Sequence, residues 1–213
     1  MARTKQKRLS KVKELPNVFS SRGPDVKRAI WNYFKSNRPL VFEIGCGHGD
    51  YSIELAQIFP DRNFIGVDVK GARIFNGALK AINQNLGNVA FLIAKAENLI
   101  EIFQKKSIQE IFIPFPDPHV RRASHSKRLI SPGLLKIYKE LIVESGSVHF
   151  KTDNQGLYEY ALKTITDFGG EIIHFSEHLY ETTGVVFPSN VITMFEKHYI
   201  KNGRRIKYIC FKF

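Results

Sequence analysis

The sequence predicts an α/β fold in which a mostly parallel sheet carries helices on both faces and ends in an antiparallel strand. Two observations carry that expectation. Short apolar runs without polar alternation recur along the chain, and each is followed by a stretch with helical spacing of its apolar residues. Such strand–helix repeats build a parallel sheet buried on both sides. Near the C-terminus the order changes: two strand-like runs, EIIHFSEHLY and RRIKYICFKF, are separated by a polar stretch and one short helical one. The last strand is therefore expected to lie antiparallel, at the sheet edge.

Taken in chain order, residues 1–22 carry Arg3, Lys5, Lys7, Arg8, Lys11 and Lys13 with almost no apolar periodicity, and read as a flexible, solvated basic arm. Residues 23–213 then form one domain. Pro24 at a first helical position, Asp25 in the first turn, and Val26, Ala29, Ile30, Tyr33 and Phe34 on one face predict an amphipathic helix. Next come strands in PLVFEIG, NFIGVD, NVAFLIA, IQEIFIPF and GSVHFKTD. Helices are expected in YSIELAQIF, ARIFNGALKAIN, GLLKIYKELI and GLYEYALKTITDF. No internal repeat is present, and nothing forces a second domain.

Composition narrows the function. Of 213 residues, 43% are hydrophobic and 24% charged, which suits a globular core and excludes a disordered chain. Lys+Arg number 32 against 20 Asp+Glu, a net charge of +12, and that excess favours polyanions, nucleic acid first among them. Cys46 and Cys210 are too far apart for a CxxC pair and too few for a disulfide framework, as expected in a reducing cytoplasm. No run approaches the roughly 18 apolar residues of a membrane span, and no apolar segment follows the basic start. His174 and His178 have helical metal-ligand spacing, but their run alternates like a strand and lacks a third ligand, so no metal is expected.

Three motifs carry chemistry. The first is Glu43-Ile44-Gly45-Cys46-Gly47-His48-Gly49-Asp50, after the first predicted strand of the domain. Glycines here let main-chain N–H groups approach a ligand. Asp50 opens the helix where a pyrophosphate would want a positive end, and no GK[ST] follows, so dinucleotide and P-loop readings are disfavoured. Asp68, roughly 20 residues on, stands where an acidic side chain accepts from ribose hydroxyls. Glu43 either buttresses the turn or attracts an ammonium group. A ribose, an aromatic base and a positive charge together describe S-adenosylmethionine. The second motif is Phe115-Pro116-Asp117-Pro118-His119, with Arg121, Arg122, His125, Lys127 and Arg128 behind it. It overhangs the same crevice, its prolines stiffen Asp117, and its cations are expected to meet phosphates. The third, His149 to Asn154, brings Lys151, Asp153 and Asn154 to the crevice edge. Asn154 is expected to cap the next helix, while Asp153 stays open between cap and substrate ligand.

EIGCGHG, GVD, FPDP with its downstream KRL, HFKTDN followed by LYEY, and the late TMFE resemble, in order, the motifs of bacterial tRNA (guanine-N7)-methyltransferases. The likeness runs from Pro39 to the C-terminus. It implies a Rossmann-like doubly wound sheet of seven strands, the last antiparallel, with S-adenosylmethionine as cofactor, S-adenosylhomocysteine as product, and a variable-loop guanosine of tRNA as target. Carried over by residue, it implies cofactor contacts at Glu43, Asp68 and Asp117; the glycine loop adds Gly45 and Gly47, either Glu97 or the main chain at Ala96 is expected to hold the adenine, and Asp117 is the expected catalytic residue. Substrate contacts are implied at Arg121, Lys151, Asp153, Thr193, Phe195 and Glu196. Lys95 stands where the family usually has Asp or Asn before Ala96, and a lysine accepts no hydrogen bond from an adenine amino group. His119 and Val120 replace the usual tryptophan and its neighbour.

On this reading the enzyme works as a monomer or homodimer with no obligate protein partner. The alternatives are another RNA methyltransferase and a non-catalytic RNA-binding module. An enzyme for exocyclic amino groups would show an NPPY-like run where this chain has PDPH, and a small-molecule methyltransferase has no use for a charge of +12.

Overall fold

A computed structural model describes residues 2–23, 25–181 and 191–213, with the backbone alone at residues 2–5, 7, 194 and 195. Its elements are α1 (Ala2–Lys11), β1 (Val18–Ser20), α2 (Val26–Phe34), β2 (Leu40–Ile44), α3 (Asp50–Ile58), β3 (Asn63–Asp68), α4 (Gly71–Asn83) and β4 (Val89–Ile93). They continue with α5 (Leu99–Ile102), β5 (Ile108–Pro114), α6 (Pro132–Leu141), β6 (Ile142–Thr152), α7 (Gln155–Asp167), β7 (Glu171–Ser176), α8 (Met194–Lys201) and β8 (Lys207–Lys212).

Alternate residues of each central strand enter opposite cores, as the period-two geometry of a strand demands. Phe42, Ile65, Leu92 and Ile113 pack with α2, α6 and α7. Val41, Phe64, Phe91 and Phe112 pack with α3 and α4. This double burial is why β2 and β3 read as unbroken apolar runs. The strands order as β1-β4-β3-β2-β5-β6-β8-β7, and every pairing is parallel except the two that β8 makes. The chain builds outward from β2 through β3 to β4, then returns to lay β5 on the other flank of β2. That reversal opens a crevice beyond the carboxyl ends of β2 and β5, where open α/β sheets bind ligands.

The structure departs from expectation in three places. An eighth strand joins the sheet, because Val18–Ser20 pairs in parallel with β4, and α1 packs on α4. Val12 is fully buried, and Asn17 donates from Nδ2 to the Ala78 carbonyl at 3.0 Å. The expected arm over residues 1–22 therefore contains a segment folded onto the sheet; three strand residues within a basic stretch leave no periodicity to detect. The antiparallel strand β8 is not at the edge: it inserts between β6 and β7. Its apolar residues are buried on both faces, whereas β7 alternates and leaves Ile173 and Phe175 exposed, the pattern of an edge strand. Finally, Asp25 is not in the first turn of α2 but is its N-cap, accepting from the Arg28 N–H at 3.3 Å, while Pro24 lies outside the described residues.

Candidate active site

The loop after β2 is tied to the end of β3, since the N–H groups of Gly45 and Cys46 both donate to the Val67 carbonyl at 2.8 and 3.0 Å. Gly47 has φ +56°, so its glycine is a backbone requirement although a Cβ there would meet open space. Gly49 adds close packing to φ +69°, because a Cβ would lie 2.2 Å from the Phe91 ring. The loop is thus shaped from below by β3 and β4.

Two carboxylates set the floor of the site. Asp68 accepts from the Gly47 N–H at 2.9 Å on one oxygen and from the Lys70 N–H at 2.8 Å on the other. Each oxygen keeps a second lone pair for a ligand hydroxyl. Glu43 accepts on Oε2 from both the N–H and the hydroxyl of Ser52, at 2.8 and 2.6 Å, and so buttresses the start of α3. Burial pushes its carboxyl up to about 8.

Above this floor lie two adjoining cavities of about 590 and 440 Å³. Gly45, Arg73, Phe115 and Asp117 line both of them. Asp68, Ala96 and Glu97 line the larger, with apolar Ile44, Val67 and Leu134 beside them. Lys95 lines it too. Glu43, Gly47, Thr193 and Tyr199 line the smaller. A carboxylate with spare lone pairs, a glycine turn with close main-chain access and an apolar slot form a donor set that suits a nucleoside with a charged tail.

Asp117 stands on the boundary between the cavities, held by its backbone. Phe115 and His119 on either side have φ of +50° and +42°, left-handed values that cost a non-glycine residue energy and persist only where the surroundings impose them. Those surroundings are identifiable. Phe115 N–H donates to the Lys151 carbonyl at 2.9 Å. Arg128 donates from Nε to the Pro118 carbonyl at 2.9 Å and from Nη2 to the His119 carbonyl at 3.4 Å, with its guanidinium 4.2 Å from the Tyr160 ring centroid. Arg128 is only 6% exposed, so it is not the phosphate contact the sequence suggested but a clamp on the loop.

The expected substrate residues divide. Thr193 reaches the smaller cavity and also begins α8, where its hydroxyl accepts from Glu196 N–H at 3.2 Å while Glu196 Oε2 accepts from Thr193 N–H at 3.3 Å, a capping box. Glu196 is buried and accepts from Lys151 Nζ at 3.0 Å and from the Tyr180 hydroxyl. Burial lowers the pKa of Lys151, and Glu196 opposes that shift. Asp153 accepts from Arg204 Nη1 at 2.5 Å. Lys151, Asp153 and Glu196 line neither cavity. Asn154 caps α7, accepting from Leu157 N–H at 2.8 Å. Arg121 is exposed outside the cavities, and the Phe195 side chain lies outside the described residues. Arg73 and Tyr199 also line the site, and neither is marked in the sequence, since a lone arginine or tyrosine on a helix carries no local signal. Among the described residues no group of three or more His, Cys, Asp or Glu is arranged to hold a metal, and no helix is long and apolar enough to cross a membrane.

Comparison with known proteins agrees with this architecture. A solved antibiotic-related methyltransferase superposes with a TM-score of 0.66 at 18% identity, covering 91% of this chain and 96% of its own. The 16S rRNA methyltransferase KamB does so with a TM-score of 0.64 at 15% identity, covering 86% and 92%. Sheet order and crevice thus define a Rossmann-like methyltransferase fold. The family model described as "Putative methyltransferase" matches residues 37–209. The tRNA (guanine-N(7)-)-methyltransferase of Cytophaga hutchinsonii is 36% identical over 100% of this chain and 99% of its own, and that of Christiangramia forsetii 37% over 92% and 86%. The chain belongs to the tRNA (guanine-N7)-methyltransferase family.

Proposed function

We propose that the protein transfers a methyl group from S-adenosylmethionine to N7 of a guanosine in the variable loop of tRNA, releasing S-adenosylhomocysteine. The observation that carries this reading is Asp117, a rigidly mounted carboxylate lining both a cavity suited to a nucleoside and a neighbouring one of about 440 Å³, room enough for a purine base. Asp68 would hold the ribose hydroxyls, Gly45 and Gly47 the main-chain side of the cofactor, Ala96 and Glu97 its adenine end, and Glu43 the loop that faces its amino-acid portion. The bound cofactor supplies a methyl group activated by a positively charged sulfur.

Guanine N7 carries a free lone pair, so no general base has to remove a proton first, and no metal is needed to create a nucleophile. Asp117 orients the base edge and meets the positive charge that grows on the guanine. Holding both partners in adjoining cavities supplies the proximity part of the rate. Exposed Arg121, Arg122 and Lys127 beside the crevice bind backbone phosphates. The enzyme acts in the cytoplasm as a monomer or homodimer.

Mass spectrometry of nucleosides from tRNA incubated with the protein and S-adenosylmethionine is the test. N7-methylguanosine should be the one new nucleoside; methylation of an exocyclic amino group, or none at all, would overturn the reading.

A further inference from the structure

Helix α8 has eight residues, too few to be stable in isolation, so whatever fixes it fixes what it carries. Its first turn is pinned to the end of β6 by the Lys151–Glu196 pair, whose side chains are 3% and 0% exposed. Beyond its last turn, Arg204 pairs with Asp153 just after β6, and its guanidinium lies 5.1 Å from the Tyr199 ring centroid. The Tyr199 carbonyl accepts from the N–H groups of both Asn202 and Arg204, at 3.1 and 3.0 Å. The Tyr199 ring lies 5.4 Å from that of Phe115, tilted by 54°, and both rings line the smaller cavity with Asp117. Of the three, only Tyr199 comes from outside the loop that carries Asp117.

We propose that Tyr199 is the aromatic surface on which the target guanine stacks, and that Lys151–Glu196 and Asp153–Arg204 are positioning pairs that hold it opposite Asp117. This inference rests on the methyl-transfer reading above. Bases of folded RNA are recognised by stacking on aromatic side chains, because every base has a π-face. Here stacking has a second consequence. As the methyl group reaches N7 the guanine becomes cationic, and attraction between a cation and an aromatic face then favours the transition state over the ground state. Asp153 neutralises Arg204, so the cation that orients the ring does not repel the charge arriving on the base. The acidic and basic residues that line neither cavity thereby gain a role without touching the substrate.

Kinetics on tRNA, with S-adenosylmethionine affinity measured separately by calorimetry, tests this. Tyr199→Leu should lose about ten- to a hundredfold in kcat/KM for tRNA. Its cofactor affinity should stay within about twofold of wild type, because Tyr199 is not among the residues that surround the ribose and adenine positions at Asp68, Ala96 and Glu97. Tyr199→Phe should recover most of that loss. Phenylalanines of increasing fluorination at this position should lower kcat stepwise, as the ring's negative face is withdrawn. Full kcat/KM in Tyr199→Leu would overturn the stacking role. Should the leucine variant not fold, the fluorinated series decides: a stepwise fall supports the proposal and a flat response overturns it. A wild-type protein that methylates no tRNA would instead overturn the reading on which this one rests.

Discussion

Among the described residues no group donates a hydrogen bond to the Asp117 carboxylate. Its orientation comes instead from the left-handed residues on either side and from the arginine that clamps the carbonyls after it. A fixed but unpaired carboxylate keeps its full charge available to a cation forming nearby. Asp117→Ala should therefore cost on the order of 10² to 10³ in kcat, the usual effect of removing one electrostatic group, and near-normal turnover would contradict the assignment. Glu43 has a different dependence. Burial lifts its folded-state value to about 8 from an ordinary value of 4.5. Between those two values the folded protein holds a proton that the unfolded chain has lost, so stability falls as pH rises through that window and levels off above it. Thermal denaturation should show Glu43→Gln losing this slope, its melting temperature rising relative to wild type as pH increases from about 5 to about 8. Parallel curves for the two proteins would mean that Glu43 is charged throughout.

At the scale of elements, two clamps meet at the Asp117 loop: Arg128 from the segment ahead of α6, and α8 through Tyr199 and Phe115. A lysine at position 128 has no fork to reach two carbonyls and stacks less well on Tyr160. Arg128→Lys should lower kcat roughly tenfold yet leave the salt dependence of tRNA binding as it was. Arg121→Ala and Arg122→Ala should each reduce the slope of log affinity against log salt by about one, as expected for a lost phosphate contact. A changed slope in the Arg128 variant would return that residue to the RNA interface. The sequence allowed the cation cluster after PDPH to be found but not sorted, because burial separates Arg128 from Arg121 and burial is set by where α7 brings Tyr160. The Thr193 to Glu196 spacing was legible as a capping box in its own right, and family resemblance drew attention to substrate instead. Tyr199 was not legible, since its importance comes from a helix end meeting a loop more than 80 residues earlier in the chain.

Over the whole molecule, the central strands were readable because a parallel sheet covered on both faces turns its strands into unbroken apolar runs. The strand order near the C-terminus was not, because pairing partners are chosen by tertiary packing. The insertion of β8 between β6 and β7 leaves no mark on either segment except that β7 alternates as an edge strand does, whereas β8 is buried on both faces. Likewise β1 is short, follows a basic helix, and is defined by its pairing with β4 rather than by its own sequence. The site followed the topology: the reversal at β2 and β5 brings EIGCGHG and FPDP to one crevice, and a net charge of +12 gives the molecule as a whole a long-range attraction for polyanions. The most direct test of this account is transfer of a labelled methyl group from S-adenosylmethionine to two unmodified tRNA transcripts, identical except that one has adenosine in place of the variable-loop guanosine. Label on the first transcript and none on the second is the expected result; equal label on both, or none on either, would contradict it.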